Sequence, residues 1–146
     1  ATGCALHLIE PLGFRIDEKA VRRAGLDYWQ YLDLTVHKNY EEFEAAHRGK
    51  GRMYFCTTKA EHTYSEMDYQ TEEDLYFIFG KETKGLPERI LKQHPEHCIR
   101  IPMIPDARSL NLANSVAVVT YEALRQLDFP DLIGEGEMNQ ESITHK

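Results

Sequence analysis

DLYFIFGKETKGLPERILKQ, from Asp74 to Gln93, decides how this chain is read. Its first six residues are apolar on both faces, which predicts a central strand of a parallel sheet over Asp74 to Phe79. GKETKGLP follows as a glycine-bounded loop. Pro87, with its φ already fixed and no N–H to satisfy, suits the first residue of a helix over ERILKQ.

Working outward, the same alternation continues in both directions. Towards the N-terminus, RMYFC (Arg52 to Cys56) reads as a strand, LDLTVH (Leu32 to His37) as a short strand suited to an edge, and ALHLIE (Ala5 to Glu10) as a buried strand. Asp17 offers an N-cap and Gly25 a stop for a short helix from Asp17 to Ala24. Asn39 with Glu42 three residues later resembles a capping box, opening a helix of about two turns through Phe43 and Ala46 that ends at Gly49. Thr57 to Glu73 is polar and carries few periodic signals. Towards the C-terminus, CIRIPM (Cys98 to Met103) is another strand, and the longest helix runs from Asn111 to about Leu127. On that helix Leu112, Val116, Val119, Ala123 and Leu127 form one stripe, and Ala113, Ala117 and Leu124 widen it. So wide a face predicts burial on two sides. Beyond Phe129 and Pro130 the sequence loses apolar residues, so 132–146 reads as a flexible tail and 1–131 as a single domain.

Strands and helices alternating at this spacing predict an α/β domain, a parallel sheet with helices on both faces. In such sheets ligands sit at the carboxyl ends of the strands. Here the loops at those ends are TTK (Thr57 to Lys59), GKETKG (Gly80 to Gly85) and IPDARS (Ile104 to Ser109).

Composition narrows the function. Seventeen Lys and Arg against 24 Asp and Glu give a net charge of −7, which argues against a surface that coats nucleic acid or anionic membrane, so a polyanion site must be local. Three widely spaced cysteines without a CxxC pair suggest neither a disulfide framework nor a zinc knuckle, and a reducing cytoplasm fits them. No apolar run reaches the roughly 20 residues of a membrane helix, so neither membrane nor export is expected. His94, His97 and Cys98 straddle a helix end and lack a fourth ligand, and no metal is expected.

GKETKG has the glycine spacing of a phosphate loop, but Leu86 and Pro87 stand where that loop needs Lys and then Ser or Thr. No dinucleotide fingerprint follows a strand, and no GxSxG elbow supports a Ser/His/Asp triad. The pairing of FGKETKGLP (Phe79 to Pro87) with IRIPMIPDARSLNLANSVAVVTYEALRQ (Ile99 to Gln126) is informative instead. It resembles the SPOUT class of S-adenosylmethionine-dependent RNA methyltransferases, whose second motif reads FGxExxGL and whose third reads IPMxxxxxSLN with a YE pair ten residues on. LHLIEPLGF (Leu6 to Phe14), RRAGLDY (Arg22 to Tyr28) and TTK are similar to the YibK-like subgroup, which 2'-O-methylates the wobble nucleotide of certain leucine tRNAs.

The resemblance implies an α/β fold with a C-terminal trefoil knot, S-adenosyl-L-methionine as cofactor, tRNA as substrate, and a cytoplasmic homodimer. It implies cofactor contacts from Cys56, Thr57, Gly80, Ile101, Met103, Ser109 and Leu110. It further implies a polar pair, Glu82 and Asn111, near the reacting ribose, and Tyr121 close by. Read without the resemblance, Asn111 is a helix cap, Tyr121 a core residue and Glu82 a first-turn acid. Gly80 is expected because a side chain there would intrude on the adenosine. Arg22, Arg23, Lys59 and Arg108 are the candidate RNA contacts, set against the commoner role of solvated surface. Members of the class begin with a strand and an NTGNIIR-like loop carrying a functional arginine, so the resemblance implies that this segment precedes Ala1. Methylation of ribosomal RNA or another tRNA position, and non-catalytic binding of cofactor or RNA, are the alternatives.

Overall fold

The computed structural model of the chain describes residues 1–10, 32–81, 84–108 and 110–138. The expected helix from Asp17 to Ala24, the candidates Arg22, Arg23, Glu82 and Ser109, and 139–146 of the expected tail lie outside them. Strands β1 (Leu6–Ile9) and β2 (Leu34–His37) form a parallel pair. Then come helix α1 (Tyr40–His47), β3 (Gly51–Cys56), the short β4 (His62–Thr63), β5 (Asp74–Phe79), the single-turn α2 (Glu88–Leu91), β6 (Cys98–Arg100) and the long α3 (Leu112–Gln126). The last four strands make a second sheet, parallel throughout, in the order β4, β6, β3, β5.

The core divides at this sheet because side chains alternate along each strand. Phe55 of β3, Ile78 of β5 and Cys98 of β6 point to one face, where they pack with Phe43 of α1 and with Ile90 and Leu91 of α2. Tyr54 and Ile99 point to the other, where they meet Tyr69 and, from α3, Val119 and Ala123. Helices therefore cover both faces, as the sequence predicts.

Two expectations need correction. Among the described strands β5 stands at the edge, paired with β3. Its apolar faces reflect cover above and below. Tyr76 and Ile78 lie in the α1 cluster, and Leu75, Phe77 and Phe79 in the α3 cluster, so the pattern reports helices on both sides and says nothing of lateral neighbours. β1 is half-buried rather than buried, with Leu6 exposed, because its described partner is β2 alone.

The helix signals hold closely. Asn39 Oδ1 accepts the Glu42 N–H at 2.8 Å and caps α1. Asn111 Oδ1 accepts the Asn114 N–H at 3.2 Å and caps α3. Pro87 stands one residue earlier than expected, as the N-cap of α2.

The segment from Thr57 to Glu73 holds what the sequence hides. After β4 a short 3-10 turn (Tyr64–Glu66) leads to Tyr69, which is fully buried and donates its hydroxyl to the Tyr64 carbonyl. Gln126, at the end of α3, fastens this segment: its side chain accepts the Tyr69 N–H at 2.8 Å and donates to the Met67 carbonyl at 2.9 Å. Gln126→Ala strands both backbone groups. It is expected to cost roughly 1–3 kcal/mol, measured by urea denaturation.

Candidate active site

The parallel register sets the loops side by side. Cys56, the last residue of β3, is opposite Phe79, the last of β5, and also opposite Ile99 of β6. The residues that follow, Thr57, Gly80 and the Arg100–Ile101 pair, therefore emerge along one edge of the sheet, where strand-end ligands are expected. Thr57 is locked there by its N–H to the Ile99 carbonyl at 2.9 Å, and its hydroxyl accepts the Lys59 N–H at 3.1 Å. Thr58 gives its carbonyl to the Arg100 guanidinium at 3.0 Å, which ties the first loop to the third.

Its own loop gives Gly80 a reason to be glycine. A Cβ built on it would stand 2.2 Å from the Gly85 carbonyl carbon and 2.3 Å from the Leu86 nitrogen. The glycine is required by its own loop, which doubles back through the Gly85 N–H to Lys81 carbonyl bond at 2.8 Å, with Gly85 at φ +68°.

The remaining candidates fall as follows. Ile101 and Met103 are half-buried on the segment leaving β6, and Leu110 is exposed just before α3. Cys56 is half-buried, and burial pushes its thiol up to about 11, so it is no nucleophile at neutral pH. Asn111 uses its side-chain oxygen on the α3 cap. Tyr121 is 46% exposed on α3, which rules out the core role that periodicity alone suggests. Arg108 is exposed, and Lys59 pairs with Glu88 at 2.5 Å, so Lys59 must exchange that partner to reach a phosphate.

One groove joins the third strand-end loop, named from the sequence, to residues that were not. Thr63, Arg100, Pro102, Met103, Ile104, Pro105 and Ala107 line an open space of about 380 Å³. Among the described residues it shares Met103 with the expected cofactor residues. Its volume is within the range of small-ligand sites. Arg100 and Thr63 escaped notice because only the β4–β6 pairing brings them together, Thr63 lying opposite Arg100 in register. His94 and His97, set aside as metal ligands, are engaged in packing: His94 stacks on Phe55, and the His97 ring nitrogen Nδ1 meets the Met53 carbonyl at 2.9 Å.

Similarity to known proteins now adds to this geometry. Residues 1–121 match the SpoU rRNA Methylase family. A tRNA (cytidine(34)-2'-O)-methyltransferase of Methylovorus glucosotrophus is 52% identical over 129 residues, covering 88% of this chain and 82% of the relative. The Escherichia coli K12 protein of the same name is 48% identical over 133 residues, covering 90% of this chain and 83% of the relative. A solved structure concerned with the 2-OH methylation of C/U34 on tRNA superposes with a TM-score of 0.77 at 41% identity, covering 86% of this chain and 80% of that one.

Proposed function

The chain belongs to the SpoU rRNA methylase family, and from that premise we propose that it methylates the ribose 2'-hydroxyl of the wobble nucleotide, position 34, of tRNA. The observation that carries this reading is the extent of its likeness to relatives named for that reaction, which spans all three strand-end loops. Leucine tRNAs are the substrates to try first. The methyl donor is S-adenosyl-L-methionine, whose sulfonium supplies an activated methyl group. Backbone and small side chains at Cys56, Thr57, Gly80, Ile101, Met103, Ser109 and Leu110 would hold it. A rim of register-locked backbone suits such a ligand, because fixed N–H and C=O groups recognise an adenine edge without reorganising.

The chain's own work is positioning and exclusion of water. A ribose hydroxyl is a poor nucleophile at neutral pH, so a group that takes or stabilises its proton speeds the transfer. Glu82 and Asn111 are assigned to the ribose, with Tyr121 beside them, and Arg22, Arg23, Lys59 and Arg108 to phosphates. The Asn111 oxygen that caps α3 fixes where its amide can reach. These roles divide into binding and chemistry, and two substitutions separate them. Ser109→Ala should weaken donor affinity, a lost hydrogen bond costing roughly 0.5–1.5 kcal/mol. Glu82→Ala should leave calorimetric donor affinity nearly unchanged and lower turnover on the order of 10²-fold. Equal loss of affinity in both would refute the division.

A homodimer, a knotted C-terminal segment and a cytoplasmic setting complete the proposal. The dimer has support in α3, whose Val119 and Ala123 are buried while Ala113, Ala117, Val118 and Tyr121 remain exposed. Among the described residues the wide apolar face is covered on one side, and a second copy would cover the other. Sedimentation at micromolar concentration should give about twice 16.9 kDa. A monomer would overturn it.

A further inference from the structure

Three histidines far apart in sequence converge away from the strand-end loops. His7 lies in β1, His37 ends β2, and His47 ends α1. One ligand atom from each lies within 4.8 Å of the other two. His7 Nδ1 and His37 Nε2 face each other at 3.0 Å, and the His7 and His47 rings stand edge to face with centroids 4.9 Å apart. His37 is only 6% exposed.

The surroundings match those of a metal ligand set. Phe43 packs against all three rings at centroid distances of 4.8 to 5.4 Å and supplies an apolar wall. The Nδ1 atom of His47 is bonded to the Tyr76 hydroxyl at 3.1 Å, the outer hydrogen bond by which ligating imidazoles are usually oriented. Two carboxylates near the rings, Asp33 towards His7 and Asp74 towards His47, favour positive charge there.

We propose that His7, His37 and His47 form a structural site for a late first-row divalent cation, zinc above all. Two nitrogens on tetrahedral zinc lie about 3.3–3.4 Å apart, given Zn–N bonds of about 2.0–2.1 Å, and the His7–His37 pair is already close to that edge. Three imidazoles without a carboxylate in the inner set disfavour magnesium and calcium. A water fills the fourth position. The site gives the β1–β2 pair an anchor: a two-stranded sheet is marginal alone, and His47 ends the helix whose Phe43 sits in the main core. This departs from the expectation of no metal, which considered only His94, His97 and Cys98.

The test uses the purified full chain, stripped with chelator and titrated with Zn²⁺ by calorimetry. One equivalent should bind with a micromolar or lower dissociation constant and raise the melting temperature. His47→Gln should weaken binding at least about tenfold, whereas His62→Gln, on β4, should not change it. Should His47→Gln fail to fold, the parent loaded with Co²⁺ decides. Its visible spectrum should show four- or five-coordinate nitrogen and oxygen ligation without a thiolate charge-transfer band. Absence of stoichiometric binding, a thiolate band, or equal behaviour of the two variants would overturn the site. Because every readout is binding or stability, the result is independent of the methyl-transfer reading.

Discussion

Replacing Gly80 with alanine should unseat the loop that closes β5 and abolish most donor binding. The added Cβ would meet backbone atoms of Gly85 and Leu86 at 2.2 to 2.6 Å, and backbone cannot swing aside as a flexible side chain does. The Lys81–Gly85 bridge must open, or β5 must shift against β3. Overpacking of this kind costs typically about 1–3 kcal/mol, and more where backbone must move. The control is Gly49→Ala: Gly49 is also at positive φ, +76°, but a Cβ there has open space, so the cost should be near 1 kcal/mol, with donor affinity kept. Thermal melts and donor calorimetry on the two variants check this. Equal behaviour would show that the loop contact does not matter.

Phe55→Ala should be the most destabilising single change in the core. Phe55 has no exposed surface, stacks on His94 at 4.6 Å between centroids, and joins α1, α2, β5 and β6 in one cluster. Truncation leaves a cavity that four elements cannot collapse together, and the cost should be about 3–5 kcal/mol. That is a third or more of the stability of an ordinary domain, so urea denaturation should show a large drop in midpoint with little change in slope. A loss below about 1 kcal/mol would mean that the cluster is loosely packed.

What the sequence shows and what it hides follow from the range of the interactions. Asn39 and Asn111 could be read as caps because a cap bonds an N–H three residues on, well inside a local window. The strands at Arg52–Cys56 and Asp74–Phe79 could be read because alternating burial is written into consecutive residues. Tyr69 could not, since Ile99 and Val119, which bury it, and Gln126, which holds its N–H from 57 residues away, are all distant in sequence. The lateral place of β5 could not, since both-face apolarity reports helices above and below. The histidine cluster is invisible for the same reason: parallel pairing of β1 with β2, and the packing of α1 on both, collect positions 7, 37 and 47. At the active edge, the order of loops was legible from the alternation of strands and helices, and their residue roles only through motif resemblance. The tight return of the Gly80 loop onto its own strand end, which leaves no room for a side chain, has no local signature in the sequence.

The central claim, methyl transfer to the ribose of nucleotide 34, is tested most directly by incubating the purified protein with unmodified leucine tRNA and S-adenosyl-L-methionine. The RNA is then digested and the methylated nucleotide located by mass spectrometry. The account expects one added methyl group, on the 2'-oxygen of the cytidine or uridine at position 34, formed on the order of 10²-fold more slowly when Glu82→Ala replaces the parent. A methyl group on a base, at another position or in ribosomal RNA alone would contradict it.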